Sequence, residues 1–334
     1  IDIQLTYYNI ESKTTRIFRK KYLLKELEDF FFDLLDEYKS WANIESDWIN
    51  KRNSSIKNLK FPYSNYRPGQ REFAVRVYKS IMDSKKCFAQ APTGTGKTIS
   101  TLFPAIKAMG EEHTSKIFYL TAKTITREVA QDSITLMRKQ NLSIKSVTIT
   151  AKEKICKMNE INCNPDYCPY AKGYYDRINK SLKEIILKYD DYNRYNIDQI
   201  SEEYNLCPFE LSLDLTMFSD VIICDYNYVF DPRVYLKRFF EVSKTDFTFL
   251  IDEAHNLVDR ARDMYSATLT QEKFVQIRKL MSSKDKTLTS IIKEVEKTFK
   301  EKYESLNRLN ETYLVDNKLP MKLSEILKSF RSEE

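Results

Sequence analysis

A mainly parallel α/β fold with a phosphate-binding loop is what this sequence predicts, on three observations. Short apolar runs at 116–120, 146–150, 221–224 and 247–251 alternate with helical periods, the pattern of a parallel sheet whose sites lie at the C-terminal ends of its strands. The stretch Lys86-Cys87-Phe88-Ala89-Gln90-Ala91-Pro92-Thr93-Gly94-Thr95-Gly96-Lys97-Thr98 reads as a buried strand, an anion-cradling loop and the start of a helix. The run at 247–251 ends in Asp252-Glu253-Ala254-His255, and two adjacent acids at a strand end are costly without a cation.

Composition sets the frame. With 334 residues, 42% of them hydrophobic, the chain is expected to form two or three units with a substantial core. A net charge of +6, from 54 basic and 48 acidic residues, is compatible with nucleic acid but does not argue for it alone. No window approaches the roughly eighteen apolar residues of a membrane span, so a soluble protein is expected; a cytoplasmic location and a monomeric state are separate expectations. The opening Ile1-Asp2-Ile3-Gln4 is neither a signal peptide nor a natural Met start, and the chain reads as a piece of something longer. Six cysteines in this length do not suggest a secreted disulfide scaffold; their clustering suggests metal in a reducing compartment.

Taken in order, Ile1, Ile3, Leu5 and Tyr7 alternate with polar residues, a turn follows, and Ile17 and Phe18 lie in a second extended run, a hairpin signal. Leu23, Leu24, Leu27, Phe30, Phe31, Leu34, Leu35, Tyr38, Trp41 and Trp48 then follow helical spacing, more apolar face than one hairpin and helix can bury alone. Residues 50–65, rich in Lys, Asn and Ser, read as a linker. Arg67-Pro68-Gly69-Gln70 opens the next unit, with a helix over 71–82. The Gln70 amide has a donor and an acceptor for adenine's N6/N7 edge and Arg67 can stack or reach a phosphate, although a surface glutamine is the plainer alternative.

The chain has five glycines, and two of them, Gly94 and Gly96, stand directly before Lys97-Thr98, where a backbone wrapping an anion needs positive φ and no Cβ. Loop residues 91–96 and the helix start would hold phosphates, Lys97 would reach the β/γ oxygens, and Thr98 would ligate Mg²⁺. Asp252 would complete the Mg²⁺ shell of ATP, and Glu253 would take a proton from the attacking water. Taken alone, the acids could instead be a helix N-cap.

After the 116–120 strand, Thr121, Lys123 and Thr124 are suited to the phosphates of a second ligand such as a nucleic-acid backbone, or simply to capping a helix. An insertion then carries Cys156, Cys163, Cys168 and Cys207. Cys168-Pro169 and Cys207-Pro208 resemble the ends of iron–sulfur ligand runs; zinc and unrelated core thiols remain alternatives from spacing alone. Cys87 and Cys224, inside apolar strands, read as buried hydrophobes. Tyr170, Lys172, Tyr174, Tyr175 and Arg177 interleave aromatics with bases, to stack on nucleobases or to pack a small domain. Asp225-Tyr226-Asn227-Tyr228, at a strand exit, is a second polar-aromatic group placed to touch a nucleic-acid strand. Beyond His255 the pattern is helical, with one stripe through Leu288, Ile292, Val295, Phe299, Tyr303, Leu306 and Leu309 and a last short helix over 321–330.

Arg67-Pro-Gly-Gln70, Ala91-Pro-Thr-Gly-Thr-Gly-Lys-Thr98, Tyr119-Leu-Thr-Ala-Lys-Thr124, the four cysteines, Asp225-Tyr-Asn-Tyr228 and Asp252-Glu-Ala-His255 together resemble the XPD/DinG-type superfamily 2 DNA helicases with an iron–sulfur domain. The resemblance covers about residues 64–265. It implies a RecA-like P-loop NTPase lobe over 64–151 and 210–262, with a DEAH box, and an iron–sulfur insertion over 152–209 holding a [4Fe–4S] cluster on the four cysteines. It also implies the helical start of an arch domain over 263–334. ATP-driven 5′→3′ translocation on single-stranded or forked DNA, as in DNA repair, is the activity implied. A second motor lobe is expected elsewhere in the full-length protein, so this chain alone should hydrolyse ATP weakly. The chain is further similar to a bacterial branch in which a PD-(D/E)xK nuclease-like domain precedes the helicase, residues 1–63 being its tail and linker. Rival readings are a non-motor, redox-sensitive DNA-binding module and a nuclease with an accessory ATPase.

Overall fold

Runs of four or five residues dominated by Ile, Val, Phe and Tyr, without Gly or Pro, favour strands buried on both faces. The computed structural model, which describes residues 1–92, 94–241, 246–283 and 285–305, bears this out. Its chain divides into two units, Ile1–Met264 and Tyr265–Glu334. The first begins with β1 (Asp2–Tyr8), β2 (Thr15–Lys21), α1 (Leu24–Asn58), α2 (Gln70–Met82), α3 (Lys97–Gly110), β3 (Lys116–Leu120), α4 (Thr124–Arg138) and β4 (Ser146–Thr148). It continues with α5 (Lys152–Ile155), α6 (Tyr174–Lys188), β5 (Asp191–Tyr192), α7 (Arg194–Glu203), α8 (Pro208–Leu215) and β6 (Val221–Cys224). α9 (Asn227–Phe230), α10 (Lys237–Phe240), β7 (Phe247–Ile251) and α11 (Leu257–Met264) complete it. The second unit holds α12 (Gln271–Met281) and α13 (Lys286–Ser305).

The five-stranded sheet has the order β5-β4-β6-β3-β7 and every pair in it is parallel. Successive side chains of a strand face opposite sides, which sorts the core into two layers. Ile117 and Tyr119 of β3 and Val221 and Ile223 of β6 meet Ile56 of α1 together with α3 and α4. Phe118, Leu120, Ile222 and Cys224 face the other way, onto Ile178 and Ile185 of α6, Ile197 of α7 and Leu211 of α8. Most of the insertion is therefore a cover for one sheet face, and β5, which lies within it, extends the sheet.

Two expectations fail. Residues 87–91 form no strand: Cys87 is exposed and Phe88 is 92% exposed, and the sheet ends at β7. The physical reason is weak drive, since Ala and Gln have little β preference, Phe88 is the one large apolar group there, and Pro92 cannot donate to a ladder. Cys224, in contrast, is fully buried as expected.

The linker expected over 50–65 is helical to Asn58. Trp48, Arg52 and Ile56 sit one turn apart on α1, a single inward face. The Trp48 indole N–H donates to Asp220 at 3.1 Å, Arg52 pairs with Asp220 at 2.7 Å, and the Lys145 backbone N–H donates to the same carboxylate at 2.8 Å. Ile56 packs so tightly on α3 that a Cβ at Gly110 would come within 2.4 Å of it. The second half of α1 thus belongs to the sheet's core, whereas Phe30, Phe31, Leu34, Leu35 and Tyr38 of its first half are exposed, as is the β1/β2 hairpin.

In the second unit α12 and α13 pair antiparallel, with Phe274 against Phe299 at 5.8 Å and Arg278 donating to Glu296 at 2.8 Å. Val295 of the predicted stripe is buried between them. Leu306, Leu309 and the helix expected over 321–330 lie outside the described residues.

Candidate nucleotide and cysteine sites

Leu120 is in register with both Cys224 and Ile251, so the residues that follow, Thr121, Asp225 and Asp252, leave the sheet at one level. Gly94 and Gly96 adopt φ of 81° and 73°, the left-handed region an anion-wrapping loop requires. No side chain caps the Gly96 end of α3, which leaves its first N–H groups and the positive end of its dipole available to phosphate. The Tyr119 hydroxyl on β3 donates to the Thr98 hydroxyl at 3.4 Å, fixing a side chain suited to Mg²⁺. Thr93 lies outside the described residues.

Lys97 and Glu253, 156 residues apart, meet at 3.0 Å. Lys97 holds the Glu253 carboxyl below the ordinary glutamate range. Burial, then the neighbouring Glu253, push Asp252 above the ordinary aspartate range, so its anion is the one that lacks a sufficient counter-charge and a divalent cation would relieve it. Lys123 adds a smaller stabilising field on both acids. Sequence reasoning weighed Lys123 for a second ligand's phosphates or a helix cap and missed its field on the two acids.

Arg67 and Gln70 also come to the loop. The Arg67 guanidinium donates to the Gly94 carbonyl, and its backbone N–H donates to Gln70 Oε1 at 2.9 Å. Gln70 is buried, and its Nε2 would be 2.5 Å from a Cβ placed on Gly96. The surface-glutamine alternative therefore fails.

The expected nucleic-acid contacts divide. Lys123, Thr124 and Lys172 are exposed, and Tyr170 and Asn227 half-buried. Thr121 is buried, its hydroxyl shared with Thr126. Tyr174 is buried, its hydroxyl donating to Asp214 at 2.8 Å. Tyr228 packs against the insertion's core. Arg177 is committed to the carbonyls of Asn205 at 2.8 Å, Tyr170 at 3.0 Å and Pro169 at 3.2 Å. For Thr121 and Tyr174 the structure overturns the expectation, because a side chain whose polar atom is already paired in the interior has nothing left to offer a ligand.

Among the described residues no three His, Cys, Asp or Glu side chains form a group that could hold a metal ion. The four cysteines are not drawn together as a ligand set. Cys163 is exposed, in a stretch between α5 and α6 without regular structure, so no ladder or helix fixes it. Their segments are nonetheless stapled. Arg177 ties the loop after Cys168 to the turn before Cys207, and α5, which ends at Cys156, packs on α8, which starts after Cys207. Although burial opposes its charge, Lys152 is held above the ordinary lysine range by Cys163, Glu210 and Cys207. Lys152 thus lies in the electrostatic field of Cys163 and Cys207. Four thiols on linked segments beside a cation fit a thiolate-bound group in donor chemistry.

The DEAD_2 family model matches residues 115–274. The chain is 21% identical over 277 residues to the transcription and DNA repair factor IIH helicase subunit XPD of Dictyostelium discoideum, covering 74% of this chain and 35% of that protein. It is 25% identical over 274 residues to a regulator of telomere elongation helicase 1 homolog of Caenorhabditis elegans, covering 69% of this chain and 27% of that one. Among solved structures an XPD helicase superimposes with a TM-score of 0.52 at 19% identity, over 81% of this chain and 47% of the other. A truncated XPD gives 0.50 at 17% identity, over 78% and 75%. This chain spans about a third of the length of the XPD relatives it matches. A DEAD_2 match over residues 115–274 and a parallel α/β fold similar to that of XPD are what this chain shares with those helicases.

Proposed function

We propose that this chain is the first, RecA-like motor lobe of an ATP-dependent DNA helicase that moves 5′→3′ on single-stranded or forked DNA. The observation that carries the reading is the meeting of Lys97 and Glu253 at 3.0 Å beside the uncapped start of α3. Lys97 and the loop backbone, residues 91–96, hold the β/γ-phosphates, Gln70 and Arg67 hold the adenine end, and Glu253 accepts a proton from the attacking water. Thr98 and Asp252 would hold Mg²⁺, which supplies charge neutralisation to the phosphates. Cys156, Cys163, Cys168 and Cys207 would hold a [4Fe–4S] cluster, which supplies a rigid structural node or an electron-transfer centre. Lys123, Thr124, Tyr170, Lys172, Asn227 and Tyr228 are the residues left to contact DNA. A second lobe in the full-length protein completes the ATP cleft, so this chain alone turns over slowly. The hairpin and the exposed apolar first half of α1 are read as the tail of a PD-(D/E)xK nuclease-like domain of the bacterial branch.

DNA-stimulated ATPase and unwinding of a fork with a 5′ tail test the reading in the full-length protein. Lys97→Ala should lower both by about a hundredfold or more. Normal DNA-stimulated turnover in that variant would refute the site, and unwinding only from a 3′ tail would refute the polarity.

A further inference from the structure

Tyr226 was grouped by sequence with residues facing nucleic acid, yet its ring is fully buried. Its hydroxyl donates to the Asp252 carbonyl and, at 3.3 Å, to the Glu253 carbonyl. We propose that Tyr226 is a positioning residue for the acid pair, holding the turn that aims the Glu253 carboxylate; the inference rests on the ATPase reading of that site.

The turn needs holding. The β3/β7 ladder ends where the Asp252 N–H donates to the Leu120 carbonyl at 3.0 Å. Immediately after it, Glu253 adopts φ 50° and ψ 47°, a left-handed conformation that non-glycine residues seldom adopt. Such strain persists only where the surroundings over-determine it. The Glu253 carbonyl is also taken by the Asn256 backbone N–H at 3.0 Å and its carboxamide at 3.2 Å. Tyr226 is what grips the Asp252 carbonyl, just ahead of the strained residue.

The anchor is itself fixed from two sides. Asp225, next to Tyr226, pairs with Arg260 of α11 at 2.9 Å and Arg127 of α4 at 3.5 Å. The strand end that carries the phenol is therefore clamped between the helix after the acid pair and the helix that begins at Thr124. Losing the hydroxyl frees the turn without emptying the core. ATP binding draws on Lys97 and the loop backbone, and proton transfer draws on Glu253, so the defect should appear in turnover and spare substrate affinity.

Tyr226→Phe in the full-length protein tests this, with wild type alongside. The expected result is a kcat for DNA-stimulated ATP hydrolysis lowered about 10- to 100-fold, a KM for ATP within about twofold of wild type and a Tm within about 3 °C. Unchanged kcat would overturn the proposal. A fall in kcat accompanied by comparable losses of ATP affinity and Tm would also overturn it, by assigning the phenol to general packing. If wild type itself shows no DNA-stimulated turnover, the ATPase reading fails and takes this inference with it; normal wild-type turnover with an unaffected Tyr226→Phe removes this inference alone.

Discussion

At the C-terminal ends of β3, β6 and β7, residues far apart in sequence are held within hydrogen-bond reach by the sheet itself. In the insertion, by contrast, Cys156, Cys163, Cys168 and Cys207 share linked segments but no common ligand geometry among the described residues. Lys97 reaches Glu253 and Tyr119 reaches Thr98 because parallel register fixes where β3 and β7 end and α3 packs against both. Thiols have no comparable register. They attract one another only weakly, and Cys163 lies where no helix or strand sets the backbone. A phosphate site made of backbone and strand ends is organised by the fold, whereas a thiolate site obtains much of its order from the ion it binds.

That contrast is broken or sharpened most strongly by Cys163→Ser. Cys163 is exposed, so the substitution should leave the sheet core intact. In anaerobically prepared full-length protein, iron and acid-labile sulfide should fall from about four each to near zero, with ATP affinity within about twofold of wild type. A matching loss of ATP affinity would show that the two regions are one cooperative site. One zinc and no sulfide in wild type would keep the contrast and change the metal.

The same contrast explains what was legible. Glycines before Lys97-Thr98 and acids after an apolar strand are local patterns, because the chemistry they serve is built by adjacent backbone, and both were readable. Tyr226 on the Asp252 carbonyl and Asp225 between Arg127 and Arg260 were not, since each joins distant segments and has no local signature. Residues 87–91 were misread because one phenylalanine among small and polar residues imitates a strand run without supplying its burial. Residues 50–58, the last part of α1, were misread as a linker from their Lys, Asn and Ser content. Trp48, Arg52 and Ile56 at one-turn intervals were the signal that continues the helix.

A smaller effect probes the charge balance of the preorganised face. Asp252 is raised above, and Glu253 lowered below, their ordinary ranges. As pH falls, Asp252 is therefore the first of the two to take up a proton, and a proton there competes with Mg²⁺. The KM for Mg²⁺ in ATP hydrolysis should rise on acidification, by up to about tenfold per pH unit below the Asp252 pKa. Asp252→Asn should raise that KM at neutral pH and flatten its dependence on pH. For Glu253 the sign is that of a depressed carboxyl: the stabilisation from Lys97 is present above the unfolded-state pKa and lost as pH falls through the folded-state one. A Mg²⁺ requirement that is flat with pH in wild type would remove Asp252 from the metal site.

The smallest expected effect decides which side of the contrast Tyr174 is on. As a nucleobase platform it would belong to the insertion's ligand-facing surface; in the structure it is buried and donates to Asp214 at 2.8 Å. Burial, then the Asp214 carboxylate, raise its phenol far above the ordinary tyrosine range, so it stays a donor. Tyr174→Phe keeps the ring and leaves Asp214 with Arg238 at 2.9 Å. It should cost about 1 kcal/mol, a fall in Tm of about 2–4 °C. Single-stranded DNA affinity should be unchanged within about twofold, because a platform would lose little stacking when tyrosine becomes phenylalanine but a core residue loses its bond. Tyr174→Leu separates the roles further: it removes the ring from any stack, where about 1–3 kcal/mol of DNA binding would be lost. An unaltered Tm together with weakened DNA binding in that variant would return Tyr174 to the nucleic-acid surface.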